Sequence, residues 1–292
     1  MYPSGLPVDF SVPRVMGILN VTPDSFSDGG RFVVPDDALV QAERMIAEGA
    51  DILDIGGEST RPGAAAVSLD EEMARVLPLI ERIAAEFDVP VSIDTSKPEL
   101  MRAAVAAGAA MINDVSALRV PGAVAVIAAL GVPVCLMHMQ GEPRSMQAAP
   151  QYDDVLADVI RFLADRVTVC VAAGIARERL LIDPGFGFGK TLQHNLALLR
   201  GLGQFRQLGL PILVGISRKS MLGAITGKPV GERQTASVAA ALMAVERGAR
   251  VVRVHDVAAT VDALRLWRAV TDQGWHASNV GSPGVSGERP VL

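Results

Sequence analysis

Apolar and polar positions along this chain fall into blocks that repeat. Short apolar runs occur at 14–21, 51–57, 89–94, 110–115, 133–139, 180–183, 211–217 and 250–255, and each reads as a strand. The segments between them carry helical spacing. In 35–48, Ala38, Leu39, Ala42, Met45 and Ile46 share one face, and Gly49 closes the helix. Further helices are expected at 68–87, where Ser68 and Glu71 form a capping box, and at 98–107, 121–130, 153–173 and 258–271, with helical segments up to 247. One unit recurs as Glu48-Gly-Ala-Asp-Ile-Leu-Asp54, Ala107-Gly-Ala-Ala-Met-Ile-Asn113 and Arg247-Gly-Ala-Arg-Val-Val-Arg253: helix end, Gly-Ala, short apolar strand, polar residue. Eight strands, each followed by a helix, predict a single-domain α/β protein, a (β/α)8 TIM barrel; the competing arrangement is a doubly wound open sheet. The expected organisation is an N-terminal extension at 1–13, a barrel domain at 14–273 and a flexible C-terminal tail at 274–292, where the sequence turns to Gly, Ser, Pro and Asn.

Polar side chains gather where the strands stop. In Leu180-Leu-Ile-Asp-Pro-Gly-Phe-Gly-Phe-Gly-Lys190 a carboxylate ends the apolar run and a glycine-rich loop follows. The other ends carry Asn20, Glu58 to Arg61, Asp94, Asn113, His138, Ser217 with Lys219, and Arg253 with His255. A barrel uses this C-terminal end of its strands for binding and chemistry. Side chains two apart in a strand point the same way, so Arg253 and His255 are expected to converge on one ligand, and Ser92, Asp94 and Ser96 to share a face. Asp94, Asn113 and Asp183 suit the N–H edge of a flat, guanidine-like heterocycle. Arg253, His255 and Asn20 suit a phosphate or diphosphate with its Mg²⁺. Ser217-Arg-Lys-Ser220 opens a helix whose free N–H groups favour an anion, and Lys219 there fits a hydrogen-bond donor better than a Schiff-base nucleophile. The loop at 185–189 matches neither the dinucleotide fingerprint nor the P-loop, since Pro184 stands where the latter needs glycine.

Composition narrows the classes without changing this picture. The chain has 292 residues, half of them apolar, and a net charge of -5, which gives no case for nucleic-acid binding. No apolar run approaches the ~20 residues of a membrane span, and residues 1–13 lack the pattern of a signal peptide. Cys135 and Cys170, both in apolar or helical patterns, read as reduced, buried thiols of a cytoplasmic protein.

The motifs taken together resemble bacterial dihydropteroate synthases, of the pterin-binding enzyme family. The resemblance covers about 14–272 and rests on Gly17-Ile-Leu-Asn-Val-Thr-Pro-Asp-Ser-Phe-Ser-Asp-Gly-Gly30, Asp54-Ile-Gly-Gly-Glu-Ser-Thr-Arg-Pro-Gly63, Ser92-Ile-Asp-Thr95, Ile112-Asn-Asp-Val115, Leu136-Met-His-Met139, Asp183-Pro-Gly-Phe-Gly-Phe-Gly-Lys190, Gly215-Ile-Ser-Arg-Lys-Ser220 and Arg253-Val-His-Asp256. It implies condensation of (7,8-dihydropterin-6-yl)methyl diphosphate with 4-aminobenzoate, by SN1-like loss of diphosphate. It implies a pterin site of Asp94, Asn113, Met137, Asp183, Phe188, Gly215, Lys219 and Arg253, and a diphosphate site of Asn20, Thr60, Arg253 and His255, with Asn20 on Mg²⁺. The aminobenzoate site would comprise Phe26, Asp28, Thr60, Arg61, Pro62, Phe188 and Ser220, and the catalytic set Asp94, Lys219, Arg253 and His255. It further implies sulfonamide inhibitors and a homodimer. The alternatives are a methyltetrahydrofolate-binding methyltransferase domain, which has no use for a diphosphate end, and a non-catalytic pterin-binding relative. The Gly- and Pro-rich composition of the 22–30 and 58–63 loops predicts that aminobenzoate binds only after pterin, diphosphate and Mg²⁺.

Overall fold

The computed structural model describes residues 8–21, 34–59, 67–141 and 146–271. Eight parallel strands close into a barrel in sequence order: β1 Arg14–Asn20, β2 Ile52–Gly56, β3 Val91–Asp94, β4 Met111–Asp114, β5 Val134–Met137, β6 Leu180–Asp183, β7 Ile212–Val214 and β8 Ala249–Val254. β8 returns to β1, pairing Val251 with Arg14 and Arg253 with Met16. The connections carry α1 Val34–Ala47, α2 Leu69–Glu86, α3 Pro98–Ala106, α4 Ala123–Leu130, α5 Val155–Ala172, α6 Leu192–Arg200, α7 Ser220–Thr226, α8 Gln234–Glu246 and α9 Val257–Thr271. The (β/α)8 barrel expected from the apolar runs is the architecture found, and the open sheet is excluded by the β1–β8 pairing.

Strands buried on both faces explain the continuous apolar runs. β2, β4, β5 and β6 are buried at every position. One face of each strand packs outward on the helices, where Leu53, Ile55, Ile93, Ile112, Leu136 and Ile182 meet Val76, Leu79, Ile83, Leu100, Val126 and Leu163. The other face fills the barrel with Met16, Ile52, Met111, Cys135, Leu181, Leu213 and Val251. Val8 and Phe10, from the segment before β1, join this inner cluster. Arg14 ties that segment down by donating to the Asp9 carbonyl at 2.8 Å.

Some local expectations change. Ser68 caps α2 by accepting from the Glu71 N–H at 3.3 Å, but the Glu71 carboxylate pairs with Arg75 instead of completing a capping box. The full box forms at α6, where Thr191 and His194 bond reciprocally at 3.2 and 3.3 Å. β7 spans three residues rather than the seven expected, and a register irregularity stands between Ile212 and Leu213. The chain then leaves the barrel through Gly215 toward Arg218, which adopts a left-handed φ of 57°.

Candidate active site

Strand alternation delivers the polar layer at the barrel mouth. Two residues beyond Ile52, Met111, Cys135, Leu181 and Val251 of the inner cluster stand Asp54, Asn113, Met137, Asp183 and Arg253. They therefore face inward, above an apolar floor.

Arg253 crosses this layer. Its Nε donates to Asp54 Oδ2 at 2.5 Å and its Nη2 to Asp94 Oδ2 at 2.8 Å. Asn113 Nδ2 donates to the same Asp54 oxygen at 3.0 Å. Burial alone would lower the Arg253 pKa, but the two carboxylates more than compensate and raise it, so the guanidinium stays charged. Asp94 is raised above the ordinary carboxylate range, chiefly by burial, with Arg253 opposing and Asp54 and Asp114 reinforcing the shift. Asp54 Oδ1, Asp94 Oδ1 and Ser92 Oγ are buried without a hydrogen-bond partner. A desolvated, unpaired acceptor costs about 1–3 kcal/mol, which a ligand N–H recovers. Asp54 is fully buried, and sequence reading did not single it out. The signal was a carboxylate inside an apolar strand, which needs a buried partner.

Asp183 ends β6 and accepts from the Gly185 N–H at 2.7 Å. Burial raises its pKa to about 6, against the Gly185 hydrogen bond and the charges of Lys219, Lys190 and Arg253. Gly185, Gly187 and Gly189 all have positive φ, 71°, 78° and 61°, and a Cβ at Gly185 would overlap the His138 carbonyl. The loop thus lies flat on the end of β5, and Phe188 joins Val115, Met137, Met139 and Met146 in a small apolar wall. Lys219 Nζ stands 4.1 Å from the Phe188 ring centroid.

At the far side, Ser217 Oγ accepts the His255 N–H at 3.2 Å and lies 3.0 Å from its Nδ1. Arg253 and His255 therefore engage different partners: the former is drawn inward by two acids, whereas the latter lies beyond the end of β8. Ser96 likewise does not share a face with Asp94. It lies beyond β3, where alternation ends, and donates to Asp114 Oδ1 at 2.5 Å. His138 is turned away from the mouth and meets Lys190, which the sequence places at the end of the glycine-rich loop without giving it a role. Arg218, held by Asp256 at 3.1 and 2.5 Å and by the Ser237 hydroxyl, braces the turn that presents Lys219. Ser220 begins α7 and is exposed; Gly215 lies alongside the Arg253 side chain. Asn20 ends β1, next to Gly56. Phe26, Asp28, Thr60, Arg61 and Pro62 lie outside the described residues, as do the 22–30 loop and the 274–292 tail.

Among the described residues no group of three or more His, Cys, Asp or Glu side chains gathers as a metal cage. Asn20, at the end of β1, offers one amide oxygen, a hard donor of the kind that Mg²⁺ takes.

The model of the family described as "Pterin binding enzyme" matches residues 16–255. The chain is 52% identical over 272 residues to dihydropteroate synthase of Haemophilus influenzae, covering 93% of this chain and 99% of that protein. Among solved structures, Xanthomonas albilineans dihydropteroate synthase with 4-aminobenzoic acid is 57% identical, with a TM-score of 0.86, over 90% of this chain and 94% of that one. The same enzyme in complex with 7,8-dihydropteroate superposes with a TM-score of 0.83 at 53% identity, over 90% and 95% of the two chains.

Proposed function

Because the chain belongs to the pterin-binding enzyme family and is similar over nearly its whole length to dihydropteroate synthases, we infer that its barrel mouth joins (7,8-dihydropterin-6-yl)methyl diphosphate to 4-aminobenzoate and releases diphosphate. It is a transferase of the pterin-methyl group and serves folate biosynthesis. The observation that carries the site assignment is the buried, unpaired Asp94 Oδ1, at the same barrel mouth as the buried Asn113 and Asp183. These acceptors match the amino and ring N–H groups of a pterin. The ligand can take Asp94 Oδ1 while Arg253 keeps Asp94 Oδ2 and Asp54.

Met137 and Phe188 would wall the ring, Lys219 would donate to it, and Gly215 would leave room for Arg253 beneath it. Arg253 and His255 would stabilise the departing diphosphate. With the Ser217 hydrogen given to Nδ1, His255 keeps its own proton on Nε2 as a donor for that anion. Asn20 would hold Mg²⁺, which when bound supplies charge neutralisation at the diphosphate. Loss of diphosphate leaves positive charge on the pterin methylene carbon, and Asp94, if ionised, would stabilise it. The neutral aryl amine then attacks, so an SN1-like path needs no base before attack. The aminobenzoate end would combine Phe188 and Ser220 with Phe26, Asp28, Thr60, Arg61 and Pro62, and sulfonamides would compete there.

A homodimer belongs to the same reading; exposed Ile225 on α7, Met243 on α8, and Leu266 and Val270 on α9 supply apolar surface for it. Unbridged, buried Cys135 and Cys170 support a reducing compartment such as the cytoplasm. No described helix is long and apolar enough to cross a membrane. The test is diphosphate release: it should require both substrates and Mg²⁺, and release without 4-aminobenzoate at the same rate would sink the reading. Labelled 4-aminobenzoate should bind measurably only with pterin, diphosphate and Mg²⁺ present.

A further inference from the structure

Lys190 is a buried cation that the chemistry above does not use. β5 and β6 end side by side, with Met137 paired to Asp183, and the 184–189 loop folds back over β5. Lys190 closes that loop and sends its side chain underneath it, only 3% exposed. Its Nζ lies 2.9 Å from His138 Nδ1, 2.9 Å from the Phe188 carbonyl and 3.3 Å from the His138 carbonyl. Three acceptors match the three N–H groups of an ammonium. His138 is suited to accept: burial, and then the neighbouring Lys190 charge, hold its imidazole far below its ordinary pKa.

Closing the loop does not by itself require a charge. Tyr152 already donates to the Gly189 carbonyl at 2.8 Å, Gln147 to the Gly187 carbonyl at 2.5 Å, and the Gly187 N–H to Asn195 at 2.8 Å. A buried ammonium is costly, and an apolar chain of similar length could fill the same space. Beyond its direct contacts, the charge reaches Asp183, where it joins the Gly185 hydrogen bond and Lys219 in opposing the effect of burial. We propose that Lys190 is a positioning residue of the pterin site: it fixes the Phe188 and His138 carbonyls, and so the ring that walls the pterin, and sets a cation beneath the loop that follows Asp183. The proposal rests on the pterin reading of the site.

The charged and titratable groups around this pair are few. Asp183 feels Lys219 from the β7–α7 turn, Arg253 from β8 and Cys135 on β5; Asp54 and Asp94 lie across the barrel, bridged by Arg253. Lys190 feels Asp183 and Lys219, touches His138, and acts on His194 of α6; Tyr152 packs against both His138 and His194. Burial lowers the Lys190 pKa to about 7, with Asp183 opposing and Lys219 reinforcing, so its charge is present in the range where Asp183 titrates. Removing that charge lets Asp183 take up its proton at higher pH.

The test is calorimetric binding of a pterin fragment between about pH 4.5 and 8, together with steady-state kinetics. Lys190→Met removes charge and donors. Lys190→Gln removes the charge but keeps two N–H donors for the Phe188 and His138 acceptors. Tyr152→Phe removes a loop hydrogen bond with no change of charge. Both Lys190 variants should move the acid limb of pterin affinity up by about half a pH unit or more, and Tyr152→Phe should leave it in place. Lys190→Met should also raise KM for the pterin diphosphate about tenfold with KM for 4-aminobenzoate within about twofold. An acid limb unmoved in a folded Lys190 variant overturns the proposal. Failure of both variants to fold would make Lys190 a structural anchor and overturn it equally. A wild-type enzyme that binds no pterin at all would instead remove the reading beneath it.

Discussion

Asp54 shows how a single buried carboxylate decides where a functional cation points. Arg253 comes from β8 and Asp54 from β2, on opposite sides of β1, and their contact fixes the guanidinium across the mouth. Removing one partner of such a pair leaves the other charged and desolvated. Asp54→Asn should therefore cost about 2–4 kcal/mol in kcat/KM, through misplacement of Arg253. Steady-state kinetics on the folded variant checks this, and a loss confined to thermal stability would make Asp54 structural only. Lys219 offers a second residue-level test. Its ammonium lies over the Phe188 ring, a place for a fixed cation rather than a neutral nucleophile. Lys219→Arg should keep part of the activity, and borohydride should trap no substrate adduct; a trapped adduct would establish covalent chemistry. Residues at strand ends were legible because alternation by two carries them inward, as at Asn113 and Asp183. Asp54 stands in a repeated unit and a family motif, but its place inside an apolar strand kept it out of the candidate site. The His138–Lys190 contact was hidden because 52 residues separate the pair and only the glycine-rich loop brings them together.

Elements were legible where packing and pattern agree, and misread where a side chain had two possible partners. The strand runs and helix spacing placed every β-strand, because burial on both faces leaves a continuous apolar trace. β7 was overextended: Gly215, Ile216 and Ser217 continue the apolar run, but the turn braced by Arg218, Asp256 and Ser237 takes them out of the barrel. The capping box was placed on Ser68 and Glu71, yet Arg75 one turn on captures the Glu71 carboxylate. The Thr191–His194 box on α6 lay outside the usual Glu or Gln pattern, since here an imidazole nitrogen supplies the return acceptor. That box begins directly after Lys190 and sets where α6 leaves the loop. Thr191→Ala should destabilise the folded enzyme by about 1 kcal/mol in urea titration, with little effect on pterin affinity. A large loss of pterin affinity with unchanged stability would mean that the cap acts on the site and not on the helix.

For the whole molecule, the barrel holds its binding acids in a state that opposes folding. Asp183 has a folded pKa of about 6, raised first by burial, above the ordinary 3.8 of a free carboxyl. The native state therefore binds the proton more tightly than the unfolded chain does. Below the unfolded value both states are protonated, and this group contributes nothing to the pH dependence. As pH rises from about 4 to about 6, the unfolded chain ionises first and native stability is lost, by on the order of 3 kcal/mol when both are ionised. Asp94, Asp114 and Glu72 are shifted in the same direction, also chiefly by burial, and add to the trend. On the proposed reading a pterin would offset this by adding N–H donors to the one that Gly185 already gives the carboxylate. Asp183→Asn should thus be more stable than the wild type at pH 7.5, by about 1–3 kcal/mol, with the difference vanishing near pH 4. The same variant should lose about 1.5–3 kcal/mol of pterin affinity at pH 7.5, since an amide replaces an ionic acceptor. Scanning calorimetry of both proteins across this range, with and without a pterin fragment, measures the two effects side by side. A wild type as stable as Asp183→Asn at pH 7.5 would mean that the ionised carboxylate is already satisfied by Gly185 and the neighbouring cations, and that the fold carries no strain for the ligand to relieve.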